Sequence, residues 1–158
     1  NLVSDTLAIL KPDTPVIVRM ETLRRAAIYA TAGMRGWSTK GGFTDEDRAQ
    51  TTAITEKLKA RAESAKGSDQ ALALFDYGFL VETLRHTRVD SAVDGYAILT
   101  RALALRGADA EMEFALALAS SWPNRREKEQ AEHLSRARAG AKPGSLLAAN
   151  LATHFGRS

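Results

Sequence analysis

The chain of 158 residues has no cysteine, only four prolines, and aromatic side chains at 6%. Without cysteine, disulfides and thiolate metal sites are excluded, and the redox compartment is left open. Long apolar runs are missing as well. The longest, Phe114 to Ala119, is six residues, whereas a membrane span needs about 20, so a soluble chain without a membrane span is expected. Charge of one sign is nowhere concentrated: Lys and Arg against Asp and Glu run 11 to 8 over residues 1–66, 4 to 5 over 67–107 and 7 to 6 over 108–158. A net charge of +3 spread this way forms no basic block and argues against nucleic acid as a partner. HExxH, GxSxG and GxxxxGK[ST] do not occur, which leaves zinc-protease, serine-hydrolase and P-loop chemistry without local support. No cofactor is expected.

What the chain does have is alanine, leucine and helical spacing, with no sustained alternation of apolar and polar residues that would argue a strand. An all-α fold of about seven helices in antiparallel hairpins is expected, as a single domain over residues 1–158. Thr14 and Pro15 read as the cap and first position of the first helix, whose apolar face is Val16, Met20, Leu23, Ala27, Ala30 and Met34. A second helix starts at Thr44 and carries Ile54, Leu58 and Ala62, ending at Gly67. A third runs from Ser68 or Asp69 to about His86, a fourth from Asp90 to Arg106, and a fifth carries Met112, Ala115, Leu116, Ala119 and Trp122 up to Pro123. The sixth, Asn124 to Ala139, is polar and should lie outermost. Ser145 caps a short seventh with Leu147, Leu151 and Phe155. Asn1 stands where an initiator methionine would, favouring a processed chain, with export (periplasmic or secreted) ahead of cytoplasm.

Shifting the chain by 35 residues lays RALALRGADAEMEFALALASS, 101–121, on RARAGAKPGSLLAANLATHFG, 136–156. Arg101, Ala102, Ala104, Leu116 and Ala117 meet Arg136, Ala137, Ala139, Leu151 and Ala152. Leu74, Tyr77, Gly78 and Val81 add a large, large, small, large spacing to the third helix, and Pro143 follows the sixth. In these features, residues 70–156 resemble tetratricopeptide (TPR) repeats, although Gly78 to Ala102 exceeds the family's spacing. The resemblance implies a TPR-like α-solenoid over residues 67–158, with the alternative of a compact helical bundle, and residues 1–66 as a non-repeat helical hairpin. It also implies protein or peptide binding along a groove.

The third helix is apolar on two sides: Leu74, Tyr77, Leu80, Val81 and Leu84 on one arc, Leu72, Phe75 and Phe79 on another, with Asp76 and Thr83 between. Asp76 therefore lies against apolar surface and needs a partner, for which Arg24 on the first helix or the Thr83 hydroxyl is expected. Glu82 with His86, and Glu129 with His133, stand one helical turn apart and offer two metal ligands each, one short of a site; both pairs are read as solvated. His154 reads as a helix-end cation, and Glu21 as the partner of Arg25.

The stretch MRGWSTKGGFTDED, 34–47, ends in a helix start, with Thr44 and Asp47 at capping-box spacing. Its first half leaves Trp37 between Arg35 and Lys40, either folded over the end of the first helix or rimming a surface for an acidic partner. Three functions are weighed: a non-enzymatic scaffold binding a protein or peptide between hairpins; a small-molecule or enzymatic site between the first and third helices, using Arg24, Asp76, Tyr77 and Trp37; and a structural accessory domain of a larger assembly.

Overall fold

The structure is a computed structural model and describes residues 1–31, 44–86, 92–121 and 124–156. Among them are eight helices and no strand: α1 Leu2–Ile9, α2 Val16–Ala30, α3 Asp45–Ser64, α4 Ser68–His86, α5 Gly95–Arg106, α6 Ala110–Ala119, α7 Glu127–Gly140 and α8 Leu146–Phe155. None of the described helices is long and apolar enough to cross a membrane.

Helix α1 is the element that periodicity missed. It spans eight residues, but Asn1 and Ser4 form a reciprocal capping box at its start, and Leu2, Val3 and Leu7 pack against the core while Leu10 is buried. Its presence changes the role of Thr14. The expected cap does not cap: the Thr14 hydroxyl donates to the Ile9 carbonyl at 2.7 Å and accepts from the Lys11 N–H at 3.3 Å, closing the α1–α2 turn. The start of α2 has no local side-chain cap. Instead the Glu111 carboxylate, 94 residues away on α6, accepts the Ile17 N–H at 2.8 Å. An anion at a helix N-terminus satisfies an orphan donor and complements the dipole.

Other starts follow local rules. Thr44 and Asp47 exchange hydrogen bonds at 3.1 and 3.0 Å, and Ser145 accepts from the Ala148 N–H. The α5 cap is Asp94, which accepts from the Ala97 N–H, four residues later than expected; Asp90 lies outside the described residues. Helix α7 starts at Glu127 and buries only His133 and Ala137, the outer position its polarity implies.

Helix α4 is the centre. It packs against α2, α3, α5 and α6, so both its apolar arcs are covered. Phe75, Leu80 and Val81 are buried with Leu23 of α2, Ile54 and Leu58 of α3, Leu99 of α5, and Phe114 and Leu116 of α6 in one continuous core, and Phe75 stacks on Phe79 at 5.6 Å. Consecutive helices make the broadest contacts, α4 with α5 and α6 with α7.

The α4–α5 crossing is close because two glycines meet there. A methyl group on Gly95 would lie 2.9 Å from the Gly78 carbonyl oxygen and 2.7 Å from Glu82 Cγ, and one on Gly78 would lie 2.9 Å from Ile98 Cγ2. Backbone cannot yield as a side-chain tip can, so substitution must part the helices. Gly95→Ala is expected to lower stability by about 1–2 kcal/mol despite alanine's better helix propensity, read as a lower midpoint in guanidinium unfolding with an unchanged slope.

Candidate functional site

Charged groups inside this core had to be solved before any surface could be used. Asp76 is buried, and its partner is Arg19: Arg19 Nη1 donates to Asp76 Oδ2 at 2.6 Å, with both side chains almost wholly inaccessible. Arg24 and Thr83 do not take that role. Arg19 lies on the face of α2 that carries Val16, Met20 and Leu23, whereas Arg24 sits on its flank, and the Thr83 hydroxyl donates to its own helix at the Phe79 carbonyl. Arg19 also donates to the carbonyls of Thr14 (2.9 Å) and Lys11, and Arg61 of α3 donates to those of Leu10 and Leu7. Two arginines thereby fasten α1 and the following turn over Asp76.

The bond to Arg19 leaves Asp76 Oδ1 buried with no hydrogen-bond partner among the described residues. Burial raises the carboxyl to about 7, against the pull of the Arg19 and Arg61 cations. The desolvation of an anion with one unsatisfied oxygen outweighs its attraction to the guanidinium.

A second polar network joins α5, α6 and α7. His133 Nδ1 lies 2.6 Å from Glu113 Oε2 and its Nε2 lies 3.0 Å from the Tyr96 hydroxyl. Arg136 Nη2 lies 3.2 Å from the same Nδ1, and which ring nitrogen donates follows the tautomer. Arg136 donates to Glu113 Oε1 at 2.8 Å, and the Arg126 guanidinium lies 4.3 Å from the centre of the Tyr96 ring. This corrects the sequence reading: His133 is buried and bound to Glu113 on another helix, not solvated beside Glu129. Glu82 is likewise buried, accepting from Arg85 at 3.1 Å and Asn124 at 2.8 Å. Among the described residues no cluster of three or more His, Asp or Glu side chains could hold a metal ion.

The open cleft lies elsewhere, between α2, α4, α6 and α8. It measures about 360 Å³ and is lined by Arg24 and Ile28 of α2, Phe79, Glu82, Thr83 and His86 of α4, Leu118 and Ala119 of α6, Ser121, and His154 of α8. Phe79, Leu118, Ala119 and Ile28 supply apolar surface. Arg24 is its cation, and Glu82, the acid that shares the lining, accepts from Arg85 and Asn124. Arg24 Nη1 lies 3.5 Å from His154 Nε2. His154 stands in the last turn of α8, where desolvation and the adjacent Arg24 charge both lower its pKa, and its ring lies against Phe114 at 5.7 Å.

Of the six residues singled out in the sequence, the three that are described, Arg24, Asp76 and Tyr77, line different hollows. Arg24 lines this cleft, Asp76 lines a cavity of about 460 Å³ under α1, and Tyr77 faces α3 and α5 beside Lys59, Ile98 and Arg101. Arg35, Trp37 and Lys40 lie outside the described residues. A cleft between the helices carrying Arg24 and Asp76 does exist, but the neighbours of Arg24 there are Glu82, His86 and His154. The spacing Glu82, Thr83, His86 on one turn of α4 is the sequence signal for that wall; the arrival of His154 from the last helix has none.

Compared with protein-family models, curated proteins and solved structures, the chain matches none of them significantly.

The raised Asp76 carboxyl fixes a sign. Its folded pKa of about 7 exceeds the ordinary 3.8, so the native state holds this proton more tightly than the unfolded chain. The resulting stability is fully present below about pH 4 and is lost as pH rises to about 7. Urea unfolding across that window should show a decline on the order of a few kcal/mol that Asp76→Asn removes, leaving a flatter profile.

Proposed function

We propose that the chain is a non-enzymatic helical scaffold that binds an acidic, apolar-flanked segment of a protein partner in the α2/α4/α6/α8 cleft. The observation that carries this reading is the alternation of elements around the cleft. Consecutive helices pair, α4 with α5 and α6 with α7, while α2, α4, α6 and α8 also touch in series, and one cleft draws a wall from each of these four. Such alternation supports stacked TPR-like hairpins whose first helices face a common groove.

The chemistry of the walls favours binding. Ile28, half exposed, with Phe79, Leu118 and Ala119, offers an apolar bed, and Arg24 offers a cation whose hydrogen-bond contact among the described residues is a histidine at 3.5 Å, the combination that accepts a carboxylate beside an apolar side chain. Among the cleft's other polar groups the Thr83 hydroxyl donates to the Phe79 carbonyl, Ser121 Oγ accepts from Gln130 at 2.6 Å, and both Glu82 oxygens are bonded, which leaves Arg24, His86 and His154 to meet a ligand.

The volume favours a second reading, a small amphipathic anion in the same place, since ligand pockets run from about 300 to 1,000 Å³.

Selection from a random peptide library against the purified chain should return sequences pairing Asp or Glu with an adjacent large apolar residue. Arg24→Glu should weaken the selected peptides about tenfold or more in fluorescence anisotropy without lowering the thermal midpoint. Peptides lacking acidic residues, or affinity unchanged in Arg24→Glu, would refute the proposal.

A further inference from the structure

We propose, resting on the reading of the cleft as a carboxylate acceptor, that ligand binding is coupled to proton uptake by the histidine that shares the cleft with Arg24, so that acidification tightens binding.

The geometry supplies the coupling. Arg24 can only donate, so its contact to His154 Nε2 at 3.5 Å requires an unprotonated Nε2, with the ring proton on Nδ1. Adding a proton at Nε2 sets two donors and two positive charges against each other. A carboxylate placed between them reverses this: one oxygen accepts from the guanidinium, the other from a protonated Nε2, and the repulsion is screened by the ligand's own charge. The proton comes from solvent and no covalent bond changes.

The surrounding charges point the same way. From α2 the cleft receives Arg24; from α4, His86 and Glu82, with Arg85 bonded to Glu82; from α8, His154; and α6 contributes only Leu118 and Ala119. Desolvation lowers the His86 pKa, opposed by Glu82 and reinforced by Arg85 and Arg24, and desolvation and Arg24 lower that of His154. Both rings thus share the cleft with one cation and have their pKa lowered, so an incoming anion would favour the charged form of either. Linkage requires reciprocity: if the anion raises the histidine pKa, the proton raises anion affinity by the same factor.

Benzoate is a suitable probe, since it stays ionised throughout the range and its ring matches the apolar bed. Titrated into the full chain and followed by histidine ring resonances, it should bind several-fold more tightly at about pH 5.5 than at about pH 8. The His154 titration midpoint should rise on saturation. Arg24→Gln should weaken binding at both pH values, whereas His86→Gln/His154→Gln should bind with little pH dependence. Equal affinity at the two pH values, with cleft resonances shifting, would sink the proton coupling and leave the carboxylate site standing, as would full pH dependence in the double histidine variant. No perturbation of His86, His154 or Arg24 at any pH would overturn both.

Discussion

The Asp76 carboxylate, set inside a helix that is covered on every side, is the constraint on which the rest of the structure depends. An anion in such a place costs several kcal/mol unless it is answered, and the answer comes from outside its own helix. Arg19 reaches it from α2, and the same guanidinium holds the carbonyls of Lys11 and Thr14. Arg61 adds its charge from α3 while holding Leu7 and Leu10. One buried charge thereby fixes the register of α2 and α3 against α4 and decides where the first fourteen residues lie. Glu82, two turns along the same helix, repeats the device at smaller scale by drawing Arg85 and Asn124 inward.

How much of this could be read in the sequence depended on the range of the interaction. Elements fixed by local rules were legible: the Thr44 and Asp47 box, the Ser145 cap, the doubly apolar face of α4 and the polar α7 all stand as their residues suggest. Elements fixed at a distance were not. Helix α1 is too short to show a period, and Thr14 resembled a cap because its true role depends on a turn made by that unseen helix. The cap that α2 does use arrives from residue 111. Asp76 was expected to need a partner, with Arg24 or the Thr83 hydroxyl in that role, but choosing these over Arg19 ignored that α2 presents its 16, 19, 20 and 23 positions to the core, charge included.

The same distinction separates the two kinds of histidine. His133 and Glu129 share a helix turn, and that spacing suggested a solvated pair; the neighbouring helix supplies Glu113 instead, at 2.6 Å, and the ring becomes a bridge to Tyr96. His86 and His154, on helices far apart in sequence, meet around Arg24 in an open cleft. A histidine bound on both ring nitrogens, as His133 is, holds helices together. The cleft is lined from four helices far apart in sequence, so no contiguous motif records it.

The hydrogen bond from Ile17 to Glu111 has a consequence for how the chain comes apart. Stacks of helical hairpins with only nearest-neighbour contacts can fray from either end, each unit opening nearly independently of the others. Here the second helix begins on a carboxylate of the sixth, and those two helices also touch directly. Opening the amino-terminal end strips a donor from α6, and opening α6 uncaps α2. The bond thus ties the two halves of the chain together, and favours cooperative opening over the peeling of a linear array.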